Sequence, residues 1–213
     1  MQQIESAIAT NQATQIRSKL VYDLEVYKDF FLAKFYELNL DRWYTYKLSD
    51  ELLNDIIRNP DVTLIGFNNA SYDNVILKYI DERGMEPSTS GFFTGEAINT
   101  NDIYLLSKEI IENKDMTNRV KQLRFKDTYF KSIDVKSLLD PLPGLKKLEI
   151  RMRYHNVQDL PIHFDSTTTK EERKTLDKYC ENDVLATKYL YENHGLSHVE
   201  LRAFLADKFN LPD

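Results

Sequence analysis

The chain has 213 residues, 42% hydrophobic and 12% aromatic, with 34 acidic against 28 basic side chains and a formal net charge of −6. Such a length and apolar content exclude a disordered chain and suit one domain with a sizeable core, while a single cysteine, Cys180, excludes an internal disulfide framework and a cysteine-built zinc site. The negative charge argues against tight, purely electrostatic binding to nucleic acid, which needs many cations, yet a carboxylate cluster that meets phosphates through metal ions would itself make a chain acidic.

Taken in chain order, residues 1–18 form a mostly polar segment without the cationic start and apolar run of a signal peptide, and 19–213 read as a single domain with no linker. No stretch is apolar enough to span a bilayer, so the expected location is the cytoplasm, with no membrane partner. The β-branched and aromatic run at 19–27 (KLVYDLEVY), followed by 30–38 and 43–48 with turn residues Asn39 and Asp41 between them, predicts a three-stranded meander. Ser49 can cap a helix over 50–58 that Pro60 stops, and 63–67 (TLIGF) reads as a short buried strand. From Ser71, apolar residues Val75, Ile76, Tyr79 and Ile80 recur at helical spacing up to Gly84. Asn101 or Asp102 is the expected cap of the next helix, 133–139 a fifth strand, and 115–131 has no assignable pattern. A short basic helix is expected over 144–154. Thr168 and Thr169, each with a glutamate three residues on, form overlapping capping boxes at the start of a long final helix. Gly195 is expected to interrupt it, and 200–213 reads as a further helix. Three meander strands and then strands alternating with helices describe an α/β domain with a mixed sheet.

The acidic residues occupy positions with chemical meaning in this scheme. Residues two apart on a strand share a face, so Asp23 and Glu25 project side by side from an otherwise apolar strand. Two neighbouring buried anions repel and lose hydration, an arrangement that persists best around a cation; the plain alternative is an edge strand with its acidic face in water. Asp73 follows the strand 63–67 and falls in the first turn of a helix, at the sheet end where open α/β folds bind ligands. It could equally serve only to favour the helix dipole. Tyr179 and Asp183, four apart, share one face of the final helix.

Together, YDLE at 22–25, GFNNASYD at 66–73 and YCENDV at 179–184 resemble the three motifs of DEDD-class 3′→5′ exonucleases of the tyrosine subclass, most like the proofreading domains of family B and phage DNA polymerases. The resemblance spans about 20–193. It implies a ribonuclease-H-like five-stranded mixed sheet flanked by helices, and hydrolysis of DNA 3′ ends with two Mg²⁺ ions, Mn²⁺ being able to substitute. By similarity, Asp23, Glu25 and Asp183 would hold one cation, with Asp23 bridging to a second that Asp73 supports. Tyr179 would orient the attacking water, Leu24 would abut the last base, and Asn68 would contact the substrate strand. The implied partners are single-stranded DNA 3′ ends and a DNA polymerase domain or subunit, in a bacterium or a phage-infected cell.

Two alternatives stay open at this stage: an exoribonuclease trimming RNA 3′ ends with the same carboxylates, and a catalytically silent module that binds nucleic acid or a partner. Lys146, Lys147, Arg151 and Arg153 crowd one short helix, as a phosphate-facing surface or simply a solvated one. His194 and His198 are four apart but lack further ligands nearby, and are read as surface residues.

Overall fold

Strand β1 (Ser18–Tyr27) carries the fold, because its apolar residues alternate so that both of its faces can be buried. The computed structural model describes residues 18–48, 51–84, 98–112, 116–139 and 144–209. Strand β2 (Phe30–Glu37) returns antiparallel to β1 and β3 (Arg42–Tyr46) antiparallel to β2. Helix α1 (Glu51–Ile57) then crosses to β4 (Val62–Gly66), which lies parallel to β1 on its other side. After α2 (Asp73–Gly84), α3 (Thr100–Glu112) and α4 (Asn118–Phe125), strand β5 (Lys131–Asp134) joins parallel to β4. The result is a five-stranded mixed sheet of order β3-β2-β1-β4-β5, compatible with a ribonuclease-H-like arrangement. The chain continues through α5 (Val135–Leu138), α6 (Leu145–Arg151) and α7 (Lys170–Leu190), then a π turn (Tyr191–Gly195) and α8 (Leu196–Phe209).

The two sheet faces are covered by different helices. Leu20, Tyr22, Leu24 and Val26 of β1 enter the larger core with Leu64 of β4, Ile76 of α2, Leu106 of α3 and Leu123 of α4. On the other face Val21 and Ile65 pack with Leu148 of α6 and Val184 of α7. Past Val21 this second face changes character, for the next two positions that share it are Asp23 and Glu25.

Several boundaries differ from the sequence expectation, each for a local reason. The fifth strand stops at Asp134 because its side chain caps α5, accepting from the Lys136 amide at 3.0 Å, so 135–138 is helical and not extended. Helix α3 is capped two or three residues earlier than expected, by Asn99, whose Oδ1 accepts from the Asp102 amide at 3.0 Å. The unassigned stretch contains α4, started by Thr117, whose side chain accepts from Val120 N. Of the overlapping capping boxes, Thr169 with Glu172 forms one, while Thr168 Oγ1 turns to Asp29. Gly195 does not break the last helix; one π turn absorbs it and the helix resumes. The polar segment before Ser18 and residue 49, expected to cap α1, lie outside the described residues. Among the described residues, no helix is long and apolar enough to cross a membrane.

Candidate metal centre

Three elements converge near the acidic end of β1, α7 from the second sheet face and α2 from the first. β1 presents Asp23 and Glu25, α2 opens with Asp73, and α7 lies across β1 with Tyr179, Cys180 and Asp183 on its near side. Contact between α7 and β1 is direct, since the buried Cys180 thiol donates to the Asp23 carbonyl at 3.6 Å. Carboxylate oxygens of Asp23 and Glu25 and the Cys180 sulfur all lie within 4.8 Å of one another.

Burial and mutual repulsion raise the proton affinities of these acids. Burial pushes Asp23 well above the usual carboxylate range, and the neighbouring Asp73 pushes it further. Glu25 is raised by burial and then by Asp23, Asp183 and Asp73 together. Asp183 is raised to about 8, chiefly by burial and next by Asp23 and Glu149, although a hydrogen bond from Tyr179 works the other way. Burial likewise lifts Asp73 to about 7, with Asp134 adding to it and its own amide and that of Leu24 opposing. Asp73 thus acts on Asp23 and Glu25, Asp183 on Glu25, and Asp23 on Asp183, which sets the four within electrostatic reach of one another, while among the described residues the ligand atoms within 4.8 Å are those of Asp23, Glu25 and Cys180. The Tyr179 hydroxyl is held protonated by burial and by Asp183, Glu25 and Asp23.

Two groups missed by sequence reasoning hold this arrangement in place. Asp134, at the carboxyl end of β5, accepts from the amide of Asn68 at 2.8 Å and from that of Ala70 at 3.3 Å, clamping the loop that leads into Asp73. Inside the same loop, Asn69 is fully buried and its Nδ2 donates to Ser132 Oγ at 3.2 Å and the Ile133 carbonyl at 3.3 Å. Asn69 packs so closely over Gly66 that a Cβ there would lie 2.7 Å from its own Cβ, which is why glycine ends β4. Asn74 completes the brace, accepting from the Tyr22 hydroxyl at 2.6 Å and donating to Ser132 Oγ at 2.8 Å. The second missed group is Lys34, directly opposite Asp23 on β2 and buried. Its ammonium donates to Glu181 at 2.8 Å and to the Asp177 carbonyl at 3.0 Å, fixing α7 over the sheet.

The two expected substrate contacts fare differently. Leu24 points away from the acids into the larger core and is 5% exposed. Asn68 sits at the rim with a left-handed backbone (φ 62°), its Oδ1 accepting from Lys136 Nζ at 3.0 Å. On α6, Lys147 and Arg151 are exposed and Lys146 pairs with Asp159, but Glu149 is buried, one face away. His194 and His198 are both exposed.

A divalent cation fits this donor set. The oxygens belong to carboxylates that repel one another and are forced toward protonation, the condition that a bound cation relieves. All-oxygen sites suit Mg²⁺ or Mn²⁺. The Cys180 thiol, raised well above its ordinary value by burial and then by Asp23, Glu25 and Asp183, stays protonated and is a poor ligand for either ion. No family model, curated protein or solved structure matches the chain.

Proposed function

We propose that the chain is a two-cation-dependent 3′→5′ exonuclease acting on DNA 3′ ends. The observation that supports it most is the pair Asp23 and Glu25, with ligand atoms within 4.8 Å on β1, standing in electrostatic reach of Asp73 and Asp183 from two further elements, both of which raise the proton affinity of Glu25. Asp23, Glu25 and Asp183 would hold one cation, and Asp23 with Asp73 the other. When bound, such a pair of ions stabilises the attacking and leaving oxygens of a phosphodiester displacement.

The protein groups have roles that follow from their environment. Tyr179 cannot act as a base because its hydroxyl keeps its proton; one helical turn from Asp183 and beside the acids, it is suited to orienting a water by hydrogen bonding. The Asp134 clamp and the buried Asn69 fix the loop, and with it the position of Asp73, before any substrate arrives. Asn68 and Lys136 at the rim offer an amide and a cation to the strand's phosphates. The 3′→5′ direction, the preference for DNA and the placement beside a DNA polymerase, as a domain or subunit, come from the motif resemblance.

The test uses single-stranded DNA labelled at its 5′ end. With Mg²⁺ or Mn²⁺ the full-length chain should shorten it stepwise from the 3′ end, and a chelator should stop the reaction. Intact DNA at saturating levels of both ions would reject the proposal, whereas loss of a matched RNA strand in place of DNA would redirect it to RNA trimming.

A further inference from the structure

The stretch 116–131 has five lysines and arginines against one acid in a chain whose total balance is negative. Most of these cations sit on or just after α4, the helix that the sequence pattern did not reveal. Val120 and Leu123 bury one side of α4, and Lys121, Arg124 and Phe125 stand on an adjoining arc, three and four positions apart. Lys121 is exposed, and Phe125, at 78% exposure, is the most exposed large hydrophobic side chain among the described residues. An exposed aromatic ring beside cations offers a face on which a base can stack.

Arg124 links this arc to the acidic centre. Its guanidinium bonds only neutral groups among the described residues: the Ala70 carbonyl at 3.5 Å, the Ser71 hydroxyl and the Met116 sulfur at 2.8 Å. Ala70 and Ser71 belong to the loop that delivers Asp73. Between α3, α4 and that loop lies a groove of about 350 Å³, lined by Asn68, Tyr72, Glu109 and Arg124 among others. The acid in its wall, Glu109, is already engaged by Thr117 and by Arg119 at 3.6 Å. Tyr72 lines this groove, its hydroxyl 2.6 Å from Ser107 Oγ of α3, and the next residue is Asp73. The groove therefore borders the loop that delivers Asp73.

We propose that the α4 face formed by Lys121, Arg124 and Phe125, together with the adjoining groove, is a binding track for single-stranded DNA that carries the strand away from its reacting 3′ end. The assignment rests on the exonuclease reading and extends it. Lys121 and Arg124 meet phosphates, Phe125 supplies a face on which a base stacks, and the groove beside Asn68 joins the track to the acids. Charge complementarity selects the occupant, because a polyanion with planar bases satisfies cations and an exposed ring at once.

The test measures binding apart from cleavage. Fluorescent dT20 is titrated onto the full chain in EDTA over a series of salt concentrations, for the wild type, Lys121→Ala and Phe125→Ala. Both positions are exposed, and unchanged melting temperatures check that the variants fold. Lys121→Ala should lower the salt slope by about 0.7, and Phe125→Ala should weaken binding about tenfold with little change in slope. With Mg²⁺, both variants should raise KM on dT20 while leaving hydrolysis of a thymidine 5′-monophosphate p-nitrophenyl ester unchanged, because that ester never reaches α4. Equal affinity and slope in all three proteins overturns the track, as does a change in sedimentation mass without a change in DNA affinity, which marks the face as a contact between copies. Absence of all hydrolysis by the wild type would instead count against the exonuclease reading, and the EDTA titration would still judge the track.

Discussion

Replacing Asp183 by asparagine should make the cation-free protein more stable, and increasingly so as pH rises. The Asp183 carboxyl would ionise near 3.8 in an unfolded chain and is pushed to about 8 in the fold, by burial first and then by Asp23 and Glu149. The folded form thus holds this proton more tightly. Its stability is intact below the unfolded value, declines as pH climbs from 3.8 toward about 8, and stays at the lower level above that. At ~1.4 kcal/mol per pH unit, the ceiling on the penalty is on the order of 6 kcal/mol. Asp183 is only half-buried, and solvent screening brings a working figure to ~3 kcal/mol. Asparagine keeps an acceptor for Tyr179 and carries no charge, so it escapes the decline. In thermal melts with EDTA near pH 9, Asp183→Asn should exceed the wild type by ~6–12 °C, taking ~2–4 °C per kcal/mol for a chain of this size. Near pH 5 the gap should shrink to a third or less. Adding Mg²⁺ near pH 9 should lift the wild type more than the variant, which keeps Asp23 and Asp73 but lacks one ligand of the other ion. Melting curves that coincide at both pH values would show that neither burial nor neighbouring acids raise Asp183, and the electrostatic account of the site would be refuted.

Other substitutions test the supports. Gly66→Ala puts a methyl group 2.7 Å from Asn69 Cβ and should cost about 1–3 kcal/mol, read as a lower denaturation midpoint with unchanged slope. Asp134→Ala frees the loop amides of Asn68 and Ala70; a loss of about 1–3 kcal/mol is expected, with faster amide exchange confined to the loop and the first turn of α2. Tyr179→Phe should leave Mn²⁺ affinity unchanged and lower kcat about a hundredfold, the lower end for positioned proton-transfer groups, so an unaltered kcat would remove Tyr179 from the reaction.

Much of the site was legible because its acids sit on regular elements. The period of two put Asp23 and Glu25 on one face, a strand-to-helix junction put Asp73 at a sheet end, and a spacing of four paired Tyr179 with Asp183. What stayed hidden acts through tertiary contacts. Asp134 reads as a strand residue until the loop it clamps, more than sixty positions earlier, folds over it; its one local signal was a capping side chain ahead of α5. Lys34 left a clearer trace, a lone cation in the apolar run FFLAKFYE, but only the cross-strand register shows that it lies opposite Asp23. Helix α4 was obscured because only Val120 and Leu123 of its eight residues are buried, too few to set a period against four charged neighbours in and just beyond it. Leu24 shows the converse limit. Lying between two site acids in sequence, it faces the other side of the sheet.

Counting bound Mn²⁺ by electron paramagnetic resonance addresses the central claim most directly, because it needs no substrate. The wild-type chain should bind two ions that Mg²⁺ displaces, and Asp23→Ala, which removes the shared ligand, should bind neither tightly. Failure of the wild type to retain any Mn²⁺ above the level of the Asp23→Ala chain would contradict the account.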